Sequence, residues 1–371
     1  ADKEQTMLNY AGLDLQKNTV AMMTSDISGY HLYNQKYFQS SASLEYDFGT
    51  LTDVLKGLSA KALLGYDFKY NQDESFRKEY YLYAWNEKSQ SYDSQVYNES
   101  TPNNLTRASY NQQQTLAQFI INYDRTFAEK HKVGALIGYE MQKHDADNYY
   151  ASGDLAFGTP YFTSLSGENQ QVGIDKGAFY EVMYQALIGR LNYSYADRYL
   201  LEAQFRYDGS SKFAPGHQWG FFPSVSAGWR ISEEPFFKES ALSFINQLKI
   251  RASYGVLGDD NSMNYEWISG YTFRGGETAG DGKGWHQGYA PGYMFNGNFV
   301  YSVDPSSLPN QNITWLRSTT FNIGADFEAW RGKLGASFDY FQRIRRGIFS
   351  RNSVGLPTIV GASAPYENLD S

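Results

Sequence analysis

What most restricts this chain is an alternation of apolar and polar residues with period two, which an extended strand turns into two chemically different faces. Leu58, Ala60, Ala62, Leu64, Tyr66, Phe68 and Tyr70 share one face, and Ser59, Lys61, Leu63, Gly65, Asp67 and Lys69 share the other. A helix would scatter both sets around its axis. The preceding run, Ala42, Leu44, Tyr46 and Phe48 against Ser43, Glu45 and Asp47, is separated from it only by residues 49–57, so the two form a hairpin.

The unit recurs. Residues 117–123 and 133–141 make a second hairpin across a short turn, 187–195 and 199–207 a third around Ala196-Asp197-Arg198, 225–231 and 248–256 a fourth, and 321–327 and 334–340 a fifth. Turns this short join antiparallel strands, because a parallel pair needs a long crossover. Links between hairpins are longer: 71–114, 142–183 and 257–316 are expected to be loops, as are the ends 1–36 and 347–371. Short turns therefore gather on one side of the sheet and long loops on the other.

Alternation alone also suits a soluble β-sandwich, but 24 Phe, 32 Tyr and 7 Trp in 371 residues weight the comparison. Phe127, Tyr193, Tyr195, Tyr199, Trp229 and Trp330 lie beside the short turns, where an interfacial girdle would run in a membrane barrel with short periplasmic turns and long extracellular loops. No stretch has the 18 or more consecutive apolar residues of a spanning helix. The net charge of -8 has the wrong sign for gripping a phosphate backbone, so nucleic acid is not an expected partner.

Catalytic and cofactor chemistry finds little to work with. Without cysteine there is no thiolate zinc site and no Cys nucleophile. The histidines, His31, His131, His144, His217 and His286, are dispersed. The glycine-rich stretch 275–284 lacks the Lys-Ser/Thr ending and the spacing of a phosphate loop. Gly258-Asp259-Asp260-Asn261-Ser262 lacks the spaced ligands and terminal Glu of a calcium loop. Glu233 and Glu234 are neighbours whose side chains point apart on an extended chain, and no Gly-x-Ser-x-Gly elbow occurs. The chain is expected to be no enzyme, with no catalytic residue, no cofactor and no resident metal.

From residue 195 the wording becomes specific. Tyr195-Ala196-Asp197-Arg198-Tyr199-Leu200-Leu201 is followed by Arg206-Tyr207-Asp208-Gly209-Ser210-Ser211-Lys212-Phe213, then by residues 220–234 (GFFPSVSAGWRISEE) and 248–255 (LKIRASYG). Residues 308–315 (LPNQNITW), 338–341 (FDYF) and 365–369 (PYENL) belong to the same set. Together they resemble the barrel of SusC/RagA-type TonB-dependent outer-membrane transporters of Bacteroidetes, closely over 185–371 and in hairpin rhythm over 37–145.

The resemblance implies an all-β fold, an antiparallel transmembrane β-barrel of which residues 1–371 are one part, with long extracellular loops. The full barrel would have about 22 strands and would follow a plug domain that this chain does not contain. It also implies active import across the bacterial outer membrane of a large nutrient, an oligosaccharide or in some members a peptide, under a SusD-like lipoprotein lid. The TonB-ExbB-ExbD complex would supply energy through parts outside this chain, and the assembly would be a dimer of transporter–lid pairs in outer-membrane lipid. A passive porin-like barrel is the alternative.

Two groups of residues are expected to matter. Arg206, Arg230 and Arg251 share the polar parity of their strands and should face the lumen, to salt-bridge the wall or meet a plug. Trp267, Tyr271, Trp285, Tyr289 and Tyr293 crowd the long segment 257–303, where flat rings offer contact area to cargo or lid.

Overall fold

The computed structural model describes residues 18–242, 244–261, 264–273, 292–301, 303–305, 308–351, 357 and 364–369. Ten long strands run in chain order: β1 (Gly29–Asp47), β2 (Leu58–Arg77), β3 (Asn104–Phe127), β4 (His131–Asp154), β5 (Tyr180–Tyr195), β6 (Tyr199–Ser210), β7 (Trp219–Arg230), β8 (Ile245–Asp259), β9 (Leu316–Ala329) and β10 (Leu334–Arg346). Each pairs with its neighbour in sequence, from β1 through to β10, and a short strand, Gln171–Gly173, adds to β4. All five hairpins inferred from alternation are there.

Three of the short turns share one geometry. Ala128 and Glu129, Ala196 and Asp197, and Trp330 and Arg331 all have positive φ at two consecutive positions. Paired left-handed residues give the turn a twist that matches the right-handed twist of the flanking strands. Arg198 N–H donates to the Tyr195 carbonyl at 2.9 Å, which closes the tightest of them.

The strands outrun the expected ones. β2 continues to Arg77 and β3 begins at Asn104, so the loop expected at 71–114 shrinks to 78–103, and that expected at 142–183 shrinks to 155–179. Crossing the hydrocarbon takes about 9–11 residues, and β3 and β4 have 24 each. Beyond the membrane both faces of a strand meet water, so side-chain alternation stops while the backbone ladder goes on. The ends also differ from the loops expected of them: Gly29–Lys36 belongs to β1, and Ile348–Arg351 pairs with Tyr366–Leu369.

The chain divides into two compact units. One comprises 1–41, 65–115 and 143–181, the other 42–64, 116–142 and 182–371. The first buries Phe76, Leu105 and Leu155 together, and separately Ala21, Tyr80, Leu82 and Tyr97.

In the second unit the register places Leu201, Ala227, Ala252, Ile323 and Tyr340 in one lateral row, and Glu202, Ser226, Ser253 and Asn322 in the row beside it on the opposite face. One face is thus a continuous apolar belt and the other polar, as the alternation requires. A cluster of buried apolar side chains in this unit lies at the outer ends of the strands. The β7–β8 ladder ends at Ser224↔Gly255, and the ring of Phe222 fills the gap beyond. A Cβ on Gly258 would lie 2.0 Å from that ring, and one on Gly220 2.3 Å. Phe213, Ile313 and Trp315 close over Phe222, with Trp315 and Phe222 edge to face at 5.3 Å.

Two outcomes follow from this packing. Arginine at Leu201 or Ala252 should cost ~2–4 kcal/mol and arginine at Ser226 or Ser253 little, measured by urea titration of heat-modifiable gel mobility; equal cost on both faces would contradict the membrane-barrel orientation. Gly258→Ala should cost ~1–3 kcal/mol by overpacking, and this cost should vanish in a Phe222→Ala background, where the two sites couple.

Candidate functional site

The polar face of the second unit is concave and holds a cavity of ≈ 680 Å³, whose lining includes Asp124, Lys132, Asn192, Glu202, Lys249 and Arg251. Arg251 is its best-fixed cation. In its row it lies between Gly228 and Gly324, with Asp339 one strand further. A side chain on Gly324 would stand 3.0 Å from the Arg251 guanidinium carbon and 2.7 Å from Asp339, so glycine is what lets the arginine cross β9. Arg251 Nε then pairs with Asp326 at 3.2 Å and Nη2 with Asp339 at 2.8 Å.

The other two arginines lie elsewhere. Arg206 is on the same polar face, and its Nη2 sits 2.9 Å from Asp208 and 3.6 Å from Glu140. Arg230 stands at the short-turn end, paired with Glu233 at 3.2 Å and donating to the Asp197 carbonyl at 3.2 Å. Each of the three has a carboxylate partner, and the structure does not gather them into one site.

Beside Arg230 is a group that the alternation does not reveal. Glu234 accepts from Trp229 Nε1 at 3.0 Å and Arg198 Nη1 at 2.8 Å, while the Tyr199 ring stacks on Trp229 at 6.5 Å and 8°. Glu233 turns the other way, to Arg230 and Lys238, so the two carboxylates do point apart. Hydrogen bonds from Tyr199 and Trp229, with Arg198 adding to them, hold the Glu234 carboxyl below its usual value of 4.5. Only a short sequence signal marks the arrangement, Trp229 and Glu234 five apart across a turn.

On the long-loop side the Asp208-Gly209-Ser210-Ser211 motif does more than turn the chain. Ser210 Oγ donates to Asp260 at 2.9 Å, Lys212 Nζ to the Asp260 carbonyl at 3.2 Å, and the Ser211 and Tyr265 hydroxyls meet at 3.2 Å. The 308–315 and 365–369 motifs also join each other. Asn310 donates to the Tyr366 carbonyl at 2.7 Å, and Asn368 exchanges bonds of 2.8 and 2.7 Å with the Thr314 backbone.

Of the rings expected to meet cargo, Tyr271 is 63% exposed and starts a short strand, Tyr271–Phe273, paired with Val303–Pro305. Trp267 is only half-exposed. Among the described residues its buried Nε1 has no hydrogen-bond partner, nor has Oε2 of the adjacent Glu266, whose carboxyl burial pushes upward in pKa. Tyr293 pairs with Val300 in a second small hairpin, Gly292–Phe295 with Asn298–Tyr301. The Tyr293 side chain, and Trp285 and Tyr289 entirely, lie outside the described residues.

A better-presented aromatic face occurs where a plain loop is expected. Tyr81–Asn86 and Ser91–Val96 form a hairpin in which Trp85 pairs with Tyr92 and Tyr83 with Ser94. Leu82 on its other face is buried, whereas Trp85 and Tyr92, edge to face at 5.1 Å, are exposed. The signal was the alternation Tyr81, Tyr83, Trp85, too short to stand out beside the long strands. Among the described residues no three His, Asp or Glu side chains converge as a metal-binding set.

The Glu234 cluster has a pH consequence. Because its folded pKa is depressed, its stabilising bonds are fully present above the unfolded value of 4.5 and are lost as pH falls through the lower folded value. Glu234→Gln should therefore lower the unfolding temperature at pH 7 and close much of that difference by pH 3, followed by scanning calorimetry. A difference that does not change with pH would assign Glu234 a packing role only.

Comparison with known proteins agrees with this architecture. A family model described as TonB dependent receptor-like, beta-barrel, matches residues 7–371. TonB-dependent receptor P39 of Formosa agariphila is 30% identical over 257 residues, 67% of this chain and 22% of the relative. TonB-dependent receptor SusC of Bacteroides thetaiotaomicron is 34% identical over 170 residues, 46% of this chain and 15% of the relative. The chain thus matches about a fifth or less of the length of these relatives, which are receptors and not enzymes. The structure of the RagAB peptide importer in its open-open state superposes with a TM-score of 0.66 at 22% identity, covering 91% of this chain and 33% of that one, which shows the shared fold. With its ten-strand antiparallel ladder and apolar belt, the chain belongs to the TonB-dependent receptor β-barrel family of the outer membrane.

Proposed function

We propose that this chain is barrel wall of a transporter that imports an oligosaccharide, held between the barrel and a SusD-like surface lipoprotein and driven by the TonB-ExbB-ExbD complex. The observation that carries the reading is the SusC-like sequence of the second unit, laid on a sheet with a polar concave face. Transport requires affinities that differ between two states of the carrier, which weak, spread contacts supply better than one tight cluster. The paired arginines on the concave face fit a wall that meets a plug domain.

For cargo, the exposed Trp85–Tyr92 pair with the Tyr83 and Ser94 hydroxyls on the same hairpin face supports a sugar. A pyranose presents an apolar ring face to stack on indole and a rim of hydroxyls to bond. Trp267, Tyr271, Trp285, Tyr289 and Tyr293 stand as further candidates for cargo or lid contact, and a dimer of transporter–lid pairs is the assembly this reading entails.

The test is uptake of labelled oligosaccharides and labelled peptides by cells carrying the full polypeptide, with and without TonB. Oligosaccharide uptake should need TonB and fall about tenfold in Trp85→Ala/Tyr92→Ala, the loss of one or two stacking contacts. Trp267→Ala/Trp285→Ala should leave the barrel folded and weaken uptake or lid co-purification. Uptake of peptides alone would transfer the assignment to peptide import, and TonB-independent leakage of both would identify a porin.

A further inference from the structure

On the face opposite the polar concavity, the second unit carries two rows of stacked rings. Tyr199 stacks on Trp229 and on Tyr195 near the short turn, and Tyr207 stacks on Trp219 at 4.9 Å and 20° toward the long-loop end. Register puts both rows on the apolar face, since Tyr199 pairs with Trp229, Tyr207 with Phe221 and Gly209 with Trp219. From Tyr199 to Tyr207 is nine residues of one strand, and crossing the hydrocarbon takes about 9–11. Amphipathic rings settle at the two edges of a bilayer, so the apolar surface between the rows is the part that lipid tails cover.

That surface is not smooth. Between the rows lies a recess of ≈ 630 Å³, floored by Gly189, Ala203 and Pro223, which barely project from the sheet. Gly189 pairs with Phe205 and Phe205 with Pro223, while the row below runs Leu191, Ala203, Val225 and Tyr254. A Cβ on Gly189 would lie 2.2 Å from the Phe205 ring, so that ring lies down over β5 instead of standing out. Ile137, Leu191, Phe221, Val225 and Tyr254 border the recess and are exposed. Arg190, Gln204 and Ser224 also border it but form a row of the opposite parity, so the recess face itself carries no charge. The strands that line it, β4 to β8, are each paired on both sides, so an open sheet edge does not create it.

A recess at this level has no water to fill it, and the atoms lining an empty one forfeit their contacts. Lipid tails are as apolar as the lining, so packing and not escape from water decides what occupies it. An irregular floor then favours a slender, adaptable chain over the face of a second sheet. Phe205 and Phe221, 5.7 Å apart at 35°, flank the end toward Tyr207 and Trp219. We propose that this recess binds one acyl chain of an outer-membrane lipid, with the headgroup beside Tyr207 and Trp219.

The test uses the full polypeptide in vesicles of phosphatidylethanolamine that contain a trace of the same lipid with a diazirine midway along one acyl chain. After illumination, lipid adducts are mapped by peptide mass spectrometry. Adducts on the residues of β5 to β7 that line the recess should exceed those at Ile323 and Ala325, on the same face of β9, at least about tenfold, the worth of roughly ten extra carbon contacts. Ala203→Phe, which fills the floor, should bring the recess down to the β9 level, and Ala325→Phe should leave it unchanged. Heat-modifiable gel mobility checks folding, and Ala203→Leu carries the comparison if Ala203→Phe does not fold. Equal labelling of the recess and β9, or undiminished labelling of the recess in the folded Ala203 variant, would overturn the site. Labelling of the recess below the β9 level would mean that protein covers it and would overturn the lipid assignment.

Discussion

Inside a bilayer no water is available to backbone N–H and C=O groups, and each one left unpaired costs several kcal/mol. The rest of this structure follows from that constraint. It explains why the ten strands pair in strict sequence order and why the turns on one side are as tight as the left-handed Ala196-Asp197 pair allows. With lipid on one face and a polar interior on the other, the ladder carries the fold across the membrane.

Where the strands leave the membrane, the burden passes to side chains. The β7–β8 ladder stops at Ser224↔Gly255, and the opening is closed by Phe222, Phe213, Ile313 and Trp315. These come from segments nearly a hundred residues apart, and polar bonds lock them: Thr314 and Trp315 donate to the backbone of His217 and Gln218, while Asn368 grips Thr314. The motifs that make the sequence resemble its relatives thus converge largely on one outer-end cluster. At the opposite end the Glu234 cluster does the corresponding work, fastening the Tyr199 and Trp229 rings of the girdle through a carboxylate.

Charges are distributed by the same geometry. On the concave face arginines span strands to reach carboxylates, helped where a glycine such as Gly324 clears the path. On the other face of β9 and β10 the pairs Phe327↔Ala336, Ala325↔Phe338 and Ile323↔Tyr340 are free of charge, and cations return at the end of the ladder with Arg317↔Arg346. Period two sorts residues between faces, and height along the strand sorts them between lipid and headgroup.

Strand identity, pairing order and the sidedness of turns and loops were all legible in the sequence, because a period of two repeats often enough to be read without three-dimensional information. Outer strand ends were not, since pairing persists there after alternation has stopped. Nor was the hairpin presenting Trp85 and Tyr92, whose alternation spans only a few residues within a segment otherwise rich in loop formers. Which carboxylate each arginine reaches, the wedge of Phe222 between β7 and β8, and the facing of Arg317 and Arg346 were decided by tertiary structure alone. Each depends on the register between strands distant in sequence, and register is set by the sum of many backbone and side-chain contacts that no single segment contains.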